Sequence, residues 1–242
     1  MALASEVIAR ARTLLQDEDS VRWPLPELLR WLIDAQRDIV LNKPSAKSDN
    51  RVIALVEGTY QAIPGDATAL IRVVRNIRSV DTDGRRVGGQ AVSPVARSIL
   101  DAQHRDWHDG RTNRFKKEAR HVTFDEDDRK SFYVYPGNDG TGQMEVVVAI
   151  TPGDIAIAAD ADPNDIGSYA LPIGLDDIYV TAMVDWICYR AYAKDAQYAG
   201  NTQRAQLHFQ QFANALGIKA NMEMLKSPNF TAGIKATASG DA

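Results

Sequence analysis

The chain has 242 residues, 45% of them hydrophobic and 25% charged, which suits one large or two small domains with a real apolar core. A single cysteine, Cys188, excludes an internal disulfide framework and a thiolate-rich zinc site, and a formal net charge of -4 makes the whole chain a poor general binder of nucleic acid. No run of about 18 apolar residues occurs, so no helix is expected to span a bilayer and no membrane partner is expected.

The first residues, MALASEVIARARTLLQDED, put charge into every helical turn, which argues against a secretory signal. From residue 5 to about 16, Val7, Ile8, Ala11, Leu14 and Leu15 recur at helical spacing, and Ser5 is placed to cap the N-terminus. Asp17-Glu18-Asp19-Ser20 breaks the pattern. Then RWPLPELLRWLIDAQRDIVLNKP, residues 22–44, predicts a second helix from Leu25 or Pro26 to Leu41. Proline is tolerated in its first turn, where the missing N–H has no partner to lose. Leu28, Leu32, Ala35 and Ile39 form the apolar stripe, Arg30 and Asp34 can pair across one turn, and Pro44 ends the helix.

The middle of the chain reads as strands. RVIALVEGTYQAIP (51–64) predicts two short strands about Gly58, and LIRVVRNIRSVDTDGRRV (70–87) another strand with a tight turn at Asp83-Gly84. VSPVARSILDAQHRDWHDG (92–110) predicts a helix with Ser93 as cap, Pro94 in the first turn and Gly110 as terminator. HVTF, SFYVYP and MEVVVAIT supply three further strands, joined by polar DEDDRK and GNDGTGQ, the latter read as a hairpin loop. Residues 152–170 show neither period and form a long loop. Two helices close the fold, at about 176–198 and about 202–216, the second stopping at Gly217. Residues 226–242 read as a flexible tail.

The expected class is α+β: a four-helix bundle from the N- and C-terminal helices, with a central antiparallel β-rich region and one extra helix. The expected organisation is a bundle from 1–48 and 171–225, a β-rich region from 49–170, and the tail.

No catalytic, cofactor or metal motif survives inspection. His104 and His108 have the four-residue spacing that puts two imidazoles on one helical face, but the glutamate of a metalloprotease helix is missing and a surface helix explains them better. Asp160, Asp162 and Asn164 open like a calcium loop, yet Asp165 and Leu171 stand where glycine and glutamate are needed. GNDGTG lacks the lysine and the helix of a phosphate loop. Cys188 lies inside a helix without a histidine nearby in sequence, the setting of an inert thiol. GRR (84–86) and RFKK (114–117) are local basic patches, read as solvated loop charge.

Two separated segments carry a pattern instead. The first is Leu15-Gln16-Asp17, Arg22-Trp23, Glu27 to Val40, and Pro44. The second is a Leu171-Pro172 step leading to Trp186, Tyr189, Arg190, Ala191, Tyr192, Lys194 and Asp195, then Tyr198, Ala199 and Asn201. Together they resemble the bacteriophage head-to-tail adaptors, also called head-completion or tail-tubular A-type proteins. The resemblance covers both ends, about half the chain, and departs from the pattern at Gly200.

That resemblance implies a structural, non-enzymatic virion protein without cofactors, made in the host cytoplasm. It would form a ring, dodecameric to match the portal, between portal and tail. Its partners would be copies of itself, the portal protein, a tail nozzle or tail tube protein, and passing double-stranded DNA contacted without sequence specificity. Another connector layer or a tail terminator is the alternative reading, with a metal-dependent enzyme built on His104 and His108 a remote third. Large aromatics can serve either a bundle core or a subunit interface ringed by charge. The interface candidates are Trp23, Glu27, Arg30, Asp34, Arg190, Tyr192, Lys194, Asp195 and Tyr198, with Lys226, Phe230 and Lys235 in a tail expected to order on the portal.

Overall fold

The computed structural model describes residues 1–124, 128–198 and 200–224, with side chains to residue 217. The described residues hold five α-helices: α1 (Ala4–Leu15), α2 (Leu25–Asn42), α3 (Arg97–Gln103), α4 (Val180–Lys194) and α5 (Asn201–Met224). They also hold two four-stranded sheets, and the fold is α+β. The chain divides into two compact units, one containing Met1–Lys47 and Thr151–Asn221, the other Ser48–Ile150.

In the first unit α1, α2, α4 and α5 pack as a helical cluster. The apolar stripe read in α2 is its inner face: Leu28, Leu32, Ala35 and Ile39 are fully buried, as are Val7, Ile8 and Ala11 of α1. Each such Leu or Ile contributes about 2 kcal/mol by leaving water. Helix α1 starts one residue earlier than its sequence suggests. Ser5 lies inside the first turn, and the Glu6 carboxylate instead accepts the Leu3 N–H at 3.1 Å. Helix α4 is preceded by a 3-10 turn, Asp177–Tyr179, and that change of winding leaves Ile178 exposed rather than on the inner face. Helix α5 does not stop at Gly217 but continues through it to Met224.

The loop 152–170, grouped by sequence with the β-rich region, packs into the core of the helical unit. Ile155 and Tyr169 are buried among the helices, and the Tyr169 hydroxyl donates to the Pro163 carbonyl at 2.7 Å. Ile155 and Ile157 near one end and Ile166 and Tyr169 near the other, rather than a period, hold this segment down. The sequence stretch 226–242, with the tail candidates Lys226, Phe230 and Lys235, lies outside the described residues.

The second unit is built from β1 (Ser48–Ala54), β2 (Gly58–Ala62), β3 (Ala67–Val80), β4 (Arg86–Ala91), β5 (Ser93–Pro94), β6 (His121–Phe124), β7 (Ser131–Asn138) and β8 (Gln143–Ile150). Sheet order is β1-β8-β3-β4 in one sheet and β2-β7-β6-β5 in the other, and their inner faces share a core that includes Leu55, Val122, Phe132, Val134, Met144, Val146 and Val148. The pairs are antiparallel, as expected, except β5 with β6, which is parallel. Four of the successive steps, β1 to β2, β2 to β3, β4 to β5 and β7 to β8, change sheets. β7 and β8 do not pair, so GNDGTG is a crossover between sheets and not a hairpin loop.

The extra helix is shorter than predicted for a related reason. Ser93 and Pro94, read as its cap and first turn, are captured by β6: Ser93 N–H donates to the Arg120 carbonyl at 3.0 Å and Val95 N–H to Val122 at 2.9 Å. At the other end the helix stops at Gln103. The fully buried Trp107 then turns inward, its indole N–H donating to Asp101 at 2.9 Å.

Candidate interaction surface

The two signature segments meet inside the helical unit, and one carboxylate prepares the meeting. After α1 ends at Gln16 in the left-handed region, φ 57°, the Asp17 carboxylate accepts the N–H groups of Val21 (3.0 Å), Arg22 (3.1 Å) and Trp23 (2.9 Å). Three successive donors on one side chain fix the loop and aim the next two residues. Trp23 is buried and meets the Tyr192 ring edge-on, centroids 6.4 Å apart at 79°. Arg22 pairs with Asp195 at 2.6 Å and lies over both the Trp23 ring (4.9 Å) and the Tyr198 ring (4.5 Å). One turn into α2, Glu27 takes both of its bonds from Lys194 at 2.8 Å.

Four of the candidates thus join one another, Trp23 to Tyr192 and Glu27 to Lys194, and two more, Asp195 and Tyr198, meet at Arg22, which was not among the candidates. Tyr192 is buried against Trp23 and Tyr198 is half exposed. The aromatic pair anchors the fold of the unit and the charged pairs ring it at the surface. Beside them Glu27, Trp31, Tyr189, Arg190, Ala193 and Lys194 line a hollow of about 200 Å³. Arg190 and Arg30 are exposed, and Arg30 does not pair with Asp34 as the spacing suggested. Asp34 instead lends its charge, after burial, to raising Asp38 above the usual carboxylate range. Tyr189 leans on Phe209 (5.1 Å) and Trp186 on Phe212 (4.8 Å), which fastens α5 to α4.

The histidine pair is not a helical pair. His104 stands just past the end of α3, stacked on Tyr135 at 5.0 Å, and His108 lies against Trp107 at 3.7 Å with its Nδ1 2.7 Å from the Thr59 hydroxyl. Burial, then the neighbouring Arg97, lowers the His108 pKa against a smaller opposing effect of Asp101. Both rings are committed to an aromatic cluster. Among the described residues no group of three histidine, cysteine or carboxylate side chains is arranged to hold a metal ion. Cys188 is fully buried, and burial followed by the nearby Asp185 pushes its thiol up to about 12. Such a thiol is a poor nucleophile. No helix among the described residues is long and apolar enough to cross a membrane.

A family model described as SU10 adaptor protein matches residues 2–232. The chain belongs to that family. It is a family of phage head-tail adaptors, structural proteins that bind other virion proteins, and the match runs through both signature segments and the β-rich region between them. No curated protein matches the chain. Within this SU10 adaptor chain, the motif residues legible in the sequence are those that lock the two ends of the helical unit together. Asp17 could have been singled out as the organiser by its place directly after an apolar helix and before an Arg-Trp step; Tyr169 had no such signal.

Proposed function

We propose that copies of this chain close into a ring, dodecameric like the portal, that joins the portal to the tail and extends the DNA channel at the head-tail junction of the virion. Family membership over residues 2–232 carries this reading. In it, the cluster of α1, α2, α4 and α5 acts as a four-helix bundle whose charged rim, with Arg30, Asp34 and Arg190 exposed or half-exposed beside the hollow, meets the neighbouring subunit. Identical head-to-tail contacts then close by symmetry. Double-stranded DNA passes without sequence-specific contact, and an acidic chain avoids the drag of neutralised phosphates. Residues 226–242, with Lys226, Phe230 and Lys235, bind the portal.

Electron microscopy of the purified chain with and without its portal protein tests this. Rings seated on portal particles are expected, and deletion of 226–242 is expected to abolish the seating while leaving the monomer folded. Portal particles that stay bare at saturating chain refute the reading; a tail protein bound in their place favours a tail terminator.

A further inference from the structure

The basic patch RFKK has a fate that GRR does not share. Arg86, of GRR, spends its guanidinium on Asn50 and Glu145 within the first sheet. The lysines of RFKK remain exposed and line a cavity of about 510 Å³, together with Arg78, Gln90, Glu118 and Arg120. Four cations face one carboxylate there, on a chain whose net charge is -4. Among the described residues the only ion pair in the cavity is the long one from Arg78 to Glu118, 3.6 Å.

The backbone under these cations is held by two fully buried asparagines. Asn76 of β3 donates to the carbonyls of Gln90 (2.9 Å) and Ala119 (2.7 Å) and accepts the Ala119 N–H (3.0 Å). Asn138, at the end of β7, donates to the carbonyls of Lys116 (3.1 Å) and Lys117 (2.8 Å) while accepting from Gly140 and Gly142. Gly142 permits that approach, since a Cβ there would collide with the Asn138 amide and the Lys117 carbonyl. Buried amides are costly unless fully bonded, and these two spend their bonds on fixing a segment whose cations, Lys116, Lys117 and Arg120, are exposed and make no ion pair among the described residues. Cations on a fixed backbone have less freedom to lose when they meet an anion.

We infer that this cavity is a docking site for an acidic, carboxylate-bearing segment of another virion protein. The inference rests on the adaptor reading for the identity of the partner as a protein. The hollow is open to solvent but small, lined by six residues, which suits a few carboxylates, whereas duplex DNA offers a continuous rail of phosphates and is best met by an extended basic stripe on a basic protein. Arg78 and Arg120 bring the planar fork that matches a carboxylate with two bonds.

The test is fluorescence anisotropy of labelled octaglutamate with the full chain, beside a labelled short DNA duplex of equal concentration. Octaglutamate should bind with an affinity that falls as salt rises. The double reversal Lys116→Glu, Lys117→Glu should weaken it by about tenfold or more, while the reversals Arg10→Glu and Arg105→Glu, on exposed cations elsewhere, leave it unchanged. Circular dichroism confirms that each variant is folded. Absent binding, equal loss in both pairs of variants, or preference for the duplex through the same lysines overturns the inference. Portal capture separates the two claims: octaglutamate binding without portal capture counts against the ring reading alone, and portal capture without octaglutamate binding counts against this cavity alone.

Discussion

Replacing Asn76 by alanine removes three hydrogen bonds at a position with no solvent exposure. Each is worth about 1 kcal/mol net, and the orphaned Ala119 N–H has no water to turn to, so the local cost is about 3 kcal/mol. That is on the order of a hundredfold in the opening equilibrium of the segment. Because the chain has two compact units, a single melting temperature would blend two transitions, and hydrogen exchange read by mass spectrometry on peptides covering 116–120 is the sharper assay. The Ala119 amide should exchange about a hundredfold faster, with octaglutamate affinity reduced in parallel. Asn76→Asp keeps the acceptor for Ala119 but sets a carboxylate against two carbonyls, so it should do no better at neutral pH. Exchange at 116–120 that is unchanged in the alanine variant would refute the reasoning, because it would mean that the buried amide does not hold the basic segment.

Glu145 is buried between Arg75 (2.6 Å) and Arg86 (3.0 Å); burial pushes its carboxyl up, but hydrogen bonds from Arg75, Asn50 and Arg86 outweigh it and hold it below the usual range. Its contribution is therefore full above the ordinary glutamate range and lost as pH falls through the lowered value, so Glu145→Gln should cost about 2 kcal/mol at neutral pH and flatten the acid limb of a urea-denaturation series. A double-mutant cycle on Arg22→Ala and Asp195→Ala should return a coupling of about 1 kcal/mol, since both groups keep some solvent and the pair gains from the two rings under Arg22. Additive effects would show that the two ends of the unit are not joined there. Cys188 should resist alkylation at mildly alkaline pH in the native chain and react once urea exposes it; fast native labelling would contradict its burial.

The helices were legible because burial follows periodicity: Leu28, Leu32, Ala35 and Ile39 recur as a stripe and are all fully enclosed. The signature pairing was half legible. Trp23, Glu27, Lys194 and Asp195 stood out as a pattern, but the partner of each lies more than 160 residues away, and no local rule gives Lys194 to Glu27 rather than to a neighbouring subunit. Ser93-Pro94 shows the opposite failure. Its local chemistry favours a helix start, and pairing with β6 overrides it. GNDGTG looked like a hairpin because loop composition reports a turn without reporting which sheet each strand joins.

Both units use a short polar side chain to fix backbone beneath an exposed or half-exposed charge: Asp17 beneath Arg22, and Asn76 with Asn138 beneath Lys116, Lys117 and Arg120. In the helical unit the arginine so aimed finds its partner within the chain, Asp195. In the β unit, among the described residues, the lysines so aimed find none. The difference matters energetically. Once a cation is ion-paired internally, giving it to another protein means breaking that pair, whereas an unpaired cation on a fixed backbone has only its side-chain rotamers left to order, about 0.5–1.5 kcal/mol each. An adaptor has to engage a partner from solution and yet keep its own shape while doing so. The first requirement points to Lys116 and Lys117 and the second to Arg22 and Glu27, so charge reversal at the lysines should weaken partner binding without unfolding the chain, while Arg22→Ala or Glu27→Ala should lower stability by about 1 kcal/mol and leave partner binding at the lysines unchanged.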